Sequence, residues 1–343
     1  MKSVLFVISS LEYSGAARQL TLLASGLLRE RARAGVCVLG ATSPWGDDLR
    51  AAGVEVEALG RRRAFDVWPF LALRRRLHAS PTDVVHVWGT AALRAVAMTK
   101  GFRDVWASAA LPPLGAPGRI DAWLLRRVKR VVAFGEAEAS RYRAAGAAER
   151  VHVVRPACGL RIADCGLRIE EHPRSVVVVG PLLAHKGVRD AVWATDILHY
   201  LYPDLELLLV GNPPPARVLD GLGHVGGVRL VGRCPDVTPY LERATVVWVP
   251  GRAGGVSAAL EAMAAGKAVV AGRSPGIAEV IEDGVSGLLF EPGDKTGLAR
   301  QTRSLLDDPD RRRILGEEAR RRVTERFTPE QLVAQYVSLL DNA

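Results

Sequence analysis

The chain is poor in aromatic residues, which make up 6% of its 343 positions, and it carries only four cysteines. Those cysteines, at 37, 158, 165 and 234, form no C-x-x-C pair and have no paired histidines nearby. Reduced structural thiols are expected in place of a zinc or redox centre. No apolar run approaches the roughly 20 residues needed to span a bilayer. The opening MKSVLFVISSLEYSG has one lysine and a short apolar stretch, but polar Ser9 and Ser10 end it too early for a signal peptide. It reads as a first β-strand, and the protein as cytoplasmic. That strand is not followed by G-x-G-x-x-G, which removes a nucleotide-sugar dehydrogenase. Asp308 and Asp310 have the spacing of a metal-binding pair, but in DDPDRRR they read as a helix N-terminus. No metal and no cofactor are expected.

What is abundant is Ala, Val, Leu, Gly and Arg. Apolar residues reach 48%, a soluble globular composition. The formal charge of +9 comes overwhelmingly from arginine. Genome composition could explain it, as could attraction to anionic nucleotide sugars or to a membrane face. Two RRR clusters, 61–63 and 74–76, flank FDVWPFLAL. They read as the polar face of a surface helix, with peripheral contact to an anionic inner membrane face as the alternative. Nucleic acid is not expected as a partner.

The length suits two α/β domains better than one core. Strands at 4–10, 35–40, 83–87, 131–134 and 151–154 alternate with helical periods, as in a doubly wound parallel sheet. A second cycle runs through 175–180, 207–211, 228–232, 246–250 and 268–271. Between them, 158–174 contains CGLRI twice, a local duplication in a linker. The expected boundaries are 1–165 for the first Rossmann-like domain, 166–325 for the second, and 326–343 for a last helix.

The most informative stretch is GGVSAALEAMAAGKAVVAGRSPGIAEVIEDGVSGLLFEPG, Gly254 to Gly293. It predicts a glycine turn, a helix over Ser257–Ala265, a buried strand, and a second turn bearing Glu279 and Glu282. A helix that opens on glycines offers unpaired amides and a positive dipole end, a natural seat for phosphate. Glu261 lies about one turn in, within reach of a sugar hydroxyl. Upstream, GPLLAHKG (180–187) places Lys186 just after a buried strand, where it can neutralise a phosphate as a point charge.

The order LEAMAAGKAVVAGRSPGIAEVIEDGVSGLLFEPGD closely resembles the donor-binding half of retaining nucleotide-sugar glycosyltransferases with the GT-B fold, the glycogen-synthase-like group. VRLVGRCPDVTPYLERATVVWVP (228–250), EEARRRVTERFTPEQLVAQY (317–336), WGDDLRAAGVEVEALG and DVVHVWG extend the likeness over nearly the whole chain. The resemblance implies two facing Rossmann-like domains with parallel sheets and a last helix crossing back to the first. It implies metal-independent transfer of a sugar from a nucleoside diphosphate to a hydroxyl acceptor (glycan, lipid or small molecule) with retained anomeric configuration. By that likeness Lys186 would hold the diphosphate, Gly254, Gly255 and Val256 would grip it through backbone amides, and Glu261 would bind the ribose. SGAARQL (14–20) resembles the family's first-helix loop, so Ser14 and Gly15 would approach the donor phosphates or the acceptor. His86 and Ser108 are the remaining acceptor-side candidates.

The chain departs from the family pattern at three positions. Ala17 and Ala253 stand where the family has glutamates, and Pro181 stands where it has an arginine. A first-domain histidine expected near 105–112 is missing from VWASAALP. Two readings follow, a transferase and a relative that binds a nucleotide or a partner protein without transfer. A GT-B epimerase would need further cleft acids and histidines that the sequence does not offer.

Overall fold

The structure, a computed structural model, describes residues 2–12, 14–30, 32–60, 68–79, 82–102, 104–160, 174–212, 226–234 and 236–342. The arginine cluster 61–63, Cys165 and most of the duplicated CGLRI segment lie outside them. The chain divides into two compact units, Met1–Ala157 with Pro329–Ala343, and Cys158–Thr328. The division therefore falls at 157/158, a few residues before the expected 165. Phe327 packs in the second unit, and the returning segment starts at Pro329 rather than at 326.

Among the described residues the first unit holds seven parallel strands: β1 Ser3–Ile8, β2 Arg33–Val38, β3 Glu55–Ala58, β4 Val84–Trp88, β5 Val105–Ser108, β6 Arg130–Ala133 and β7 Val151–Val153. Their spatial order is β3-β2-β1-β4-β5-β6-β7. Alternation within β1 sends Val4, Phe6 and Ile8 to one face and Leu5 and Val7 to the other. The first face is covered by the helix Gly15–Arg29, through Leu20, Leu23 and Leu27, and by the final helix Pro329–Asp341, through Leu332, Val333 and Tyr336. The second is covered by the helices Trp68–Ala79, Thr90–Thr99 and Arg119–Leu125. Burial on both faces explains why the strands read as continuous apolar runs. Gln19 joins the helical layer to the end of the unit, exchanging hydrogen bonds with the Ala157 backbone at 2.7 and 2.8 Å.

The second unit repeats the plan with β8 Ser175–Val179, β9 Glu206–Val210, β10 Val228–Gly232, β11 Val246–Val249, β12 Val269–Gly272 and β13 Leu288–Phe290. The order is β10-β9-β8-β11-β12-β13, all parallel. One face packs on the helix Val256–Ala264 and on the long helix Pro309–Arg326. The other packs on Val188–His199 and Lys295–Leu306. Asp308 accepts from the Arg311 amide at 2.9 Å with Pro309 in the first turn, so the DDPD sequence is a helix cap.

The centre of the first sheet contains a buried polar chain. His86 on β4 is fully buried; its Nε2 lies 2.9 Å from Ser108 Oγ and its Nδ1 lies 2.8 Å from Tyr336 Oη. Ser108 donates its one proton to the Val132 carbonyl at 2.7 Å. His86 must therefore donate from Nε2 and accept at Nδ1 from the Tyr336 hydroxyl. Tyr336 also stacks on the imidazole, with centroids 5.5 Å apart and an interplanar angle of 8°. Neither His86 nor Ser108 exposes surface, so the expected acceptor contact gives way to a structural role. Burial drives the His86 pKa down from 6.5 to about 3.

The sign of the pH effect follows from that shift. Above pH 6.5 the imidazole is neutral whether folded or unfolded, and its contribution is complete. Between 6.5 and about 3 only the unfolded chain takes up this proton. Stability should then fall on acidification by at most about 1.4 kcal/mol per pH unit for this group. Urea titrations across the window should show a shallower pH slope for His86→Gln than for the native chain. Tyr336→Phe should cost about 1–3 kcal/mol at neutral pH, because Nδ1 then loses its buried donor. An unchanged slope and midpoint in both variants would contradict the role assigned to this chain.

Candidate functional site

In the second sheet the chain moves outward from β8 to β9 and β10, then returns to pair β11 with the other side of β8. The loops leaving β8 and β11 therefore diverge at their carboxyl ends, the place where open α/β sheets bind ligands. Those loops are Gly180–Gly187 and Pro250–Gly255, and they carry Lys186, Gly254 and Gly255.

Close backbone approach locks the loops together. Gly187 has φ +72, and a β-carbon there would lie 2.5 Å from the Pro250 carbonyl oxygen. The Arg252 amide donates to the His185 carbonyl at 2.9 Å. Lys186 ends a short 3₁₀ turn, and its Nζ donates to the Ala253 carbonyl at 3.0 Å. The same ammonium lies over Gly254, where any β-carbon would collide with it. Burial lowers the Lys186 pKa. His185 is lowered as well, first by burial and then by the neighbouring lysine charge.

Beyond Gly254 and Gly255, with φ of +66 and +92, begins the helix Val256–Ala264. Gly255 is its N-cap and has no side chain to cap the first amides. Those donors and the positive helix end stand beside the Lys186 loop. The strand behind them fixes the helix, with Ala259, Leu260 and Met263 in the core. Glu261 is half-buried on this helix. Ala253, where the family has a glutamate, is 7% exposed, and its carbonyl orients the lysine. Pro181 is half-buried in the partner loop. Of the two glutamates in the second glycine turn, Glu282 pairs with Arg322 at 3.2 Å. Among the described residues no three His, Cys, Asp or Glu side chains converge as a metal site would require.

The first sheet has the same reversal between β1 and β4. Ser14 and Gly15 lie there, both exposed. Ser14 caps the following helix, accepting from the Ala17 amide at 3.1 Å, and Ala17 is fully buried. Gly89 follows β4 directly with φ +92 and opens the helix Thr90–Thr99. The sequence reading passed over Gly89, although a glycine immediately after the buried VVHVW strand was the available signal.

Residues 166–322 match the family described as Glycosyl transferases group 1, and residues 13–158 match Glycosyltransferase Family 4. Each of these matches spans a little under half of the chain, one in each unit, and the chain has the GT-B fold. It is 35% identical over 181 residues, 50% of its length and 46% of the relative's, to the N-acetyl-alpha-D-glucosaminyl L-malate synthase of Bacillus anthracis. It is 31% identical over 162 residues to the glycogen synthase of Mycobacterium tuberculosis, covering 45% of this chain and 39% of that one. The chain thus spans about half the length, or less, of these curated relatives. Among solved structures, Anabaena HepE in complex with UDP-glucose superposes with a TM-score of 0.84 at 21% identity, covering 100% of both chains.

The loop lock makes a direct prediction. Gly187→Ala should destabilise the protein by about 1–3 kcal/mol or more, through left-handed strain and the collision with the Pro250 carbonyl. Urea midpoints measure it, and a variant as stable as the native chain would mean that the loops are not in contact as described.

Proposed function

We propose that this protein transfers a sugar from a nucleoside-diphosphate sugar to a hydroxyl acceptor with retention of anomeric configuration. The observation that carries the reading is the loop pair of the second unit. It places a half-buried lysine, two glycines and a helix N-terminus capped only by glycine together at the sheet's reversal point. Each of these features favours a diphosphate. Among the described residues the Lys186 ammonium bonds only to Ala253, leaving two N–H donors, and an anion offsets the desolvation that lowers its pKa. The amides near Gly254–Val256 point the helix dipole at the same charge. Glu261, further along the helix, is the acid for the ribose hydroxyls. The glycosyltransferase relatives, and a neighbouring fold described with UDP-glucose, support the donor class.

In the proposed reaction the bond from the anomeric carbon to the diphosphate oxygen breaks. The acceptor oxygen bonds to that carbon on the same face, and its proton passes to the departing diphosphate. Negative charge grows on the leaving group, where Lys186 and the helix end stabilise it. Without a carboxylate at 253 or an arginine at 181, this chain assigns the leaving-group work to the ammonium and the backbone amides.

A panel of nucleoside diphosphates tests the site by thermal shift. Ligand at 100 times its dissociation constant should stabilise the fold by about 2.7 kcal/mol. Lys186→Ala and Glu261→Ala should each cut the shift. Binding should weaken as pH rises into the lowered range of Lys186, and Lys186→Ala should flatten that dependence. No shift with any nucleotide would sink the site assignment. Transfer itself is checked by nucleotide release from donor sugars, with product anomers read by NMR; an inverted product would refute retention.

A further inference from the structure

The helical layer formed by Trp68–Ala79, Thr90–Thr99 and Arg119–Leu125 covers the face of the first sheet opposite the final helix. Its helices pack side by side in that order. Their inward residues, including Leu73, Leu77, Leu93, Val96, Leu124 and Leu125, make an ordinary core. Their outward surface is unusual. Trp68, Leu71, Met98, Ile120 and Trp123 are all exposed, Trp68 by 77%, Met98 by 70% and Ile120 by 66%. Scattered apolar side chains are normal on a protein surface, but five on three adjoining helices are not.

The exposed side chains of these three helices that carry charge at neutral pH are all arginines. Arg74, Arg75, Arg119, Arg126 and Arg127 are exposed between the apolar residues. From Val84 to Gly135 the sequence has two acids, Asp104 and Asp121. Asp121 is buried and committed to Arg94, which it holds at 2.7 and 2.8 Å. The Arg127 guanidinium lies over the Trp123 ring at 3.8 Å from its centroid, placing cation and aromatic together at the surface.

Arginine-rich composition does not account for this pattern. The helix Pro309–Arg326 has still more arginine, yet it carries acids of its own that pair with part of it. Arg313 pairs with Glu317 at 3.0 Å, and Arg321 pairs with Glu318 at 2.6 Å and with Glu325 at 3.0 Å. In the layer of the first unit Arg76 pairs with Glu55 and Glu57 and Arg94 with Asp121, whereas Arg74, Arg75, Arg119, Arg126 and Arg127 have no ion pair among the described residues and stand beside tryptophans.

Cations flanking exposed tryptophan and aliphatic side chains, without acids between them, complement an anionic lipid surface. We propose that this layer docks the protein on membranes rich in anionic phospholipid. The apolar residues enter the headgroup boundary, and the arginines meet lipid phosphates through paired N–H donors. Among the described residues no helix is long and apolar enough to cross a membrane, so the contact is peripheral. The proposal does not depend on the donor site.

Co-sedimentation of the full chain with phosphatidylcholine vesicles, with and without phosphatidylglycerol, tests it. Binding is expected to phosphatidylglycerol vesicles, to weaken at least tenfold without that lipid, and to fall as salt screens the arginines. Arg119→Glu with Arg127→Glu, and separately Ile120→Asp, should each lower binding about tenfold while leaving the nucleotide-induced thermal shift intact, since neither touches the switch-point loops. Trp193→Ala, at an exposed tryptophan of the second unit, should leave vesicle binding unchanged. Equal binding to both vesicle types, binding indifferent to the layer substitutions, or a concentration-dependent dimer that those substitutions dissolve would each overturn the proposal.

Discussion

Parallel strands cannot be joined by hairpins, and that constraint organises both units. Each strand is reached by a crossover, so each carboxyl end releases a loop toward the next helix. Where the winding reverses, between β1 and β4 and between β8 and β11, the two loops leave in opposite directions. A crevice at that point needs no dedicated element, since topology supplies it. What the sequence adds is the filling. In the second unit this is a lysine and a helix end; in the first it is Ser14 with its capped helix and Gly89.

Lys186 shows how a reactive environment can be built from neutral parts. Its described partner is a backbone carbonyl, which orients the ammonium without cancelling its charge. A carboxylate partner would have formed an internal ion pair and competed with an anionic ligand. The buried Ala253 therefore does more than mark a missing glutamate: its carbonyl holds the cation in place. The same surroundings that lower the lysine pKa make a phosphate a favourable neighbour.

The first unit uses polar burial for the opposite purpose. The chain from Tyr336 through His86 and Ser108 to the Val132 carbonyl is satisfied at each described step, and it joins the final helix to the middle of the sheet. Its members are 250 and 22 residues apart in sequence. A histidine with both ring nitrogens occupied and a pKa near 3 stays neutral at ordinary pH and is a poor proton carrier.

Much of the fold was legible from residue order because strand and helix periods are local. SVLFVI, SVVVV and VVWV announce buried strands, and the glycine turn before VSAALEAMA announces a helix whose observed start, Val256, lies one residue before the expected one. Strands β5 (VWAS) and β13 (LLF) are not among the strands expected from the sequence. Lys186, Gly254, Gly255 and Glu261 could be named from motif spacing, yet only folding brought the Lys186 ammonium onto the Ala253 carbonyl. His86 and Ser108 looked like ligands because they are polar residues near strand ends; the returning helix supplies the partner that buries them. The arginines at 74–76 were visible as a cluster, but Trp123 and Ile120 joined the same surface only when three separate helices packed side by side. Sequence determines what each segment prefers to bury, whereas long-range packing decides which preferences are met and which side chains are left facing water.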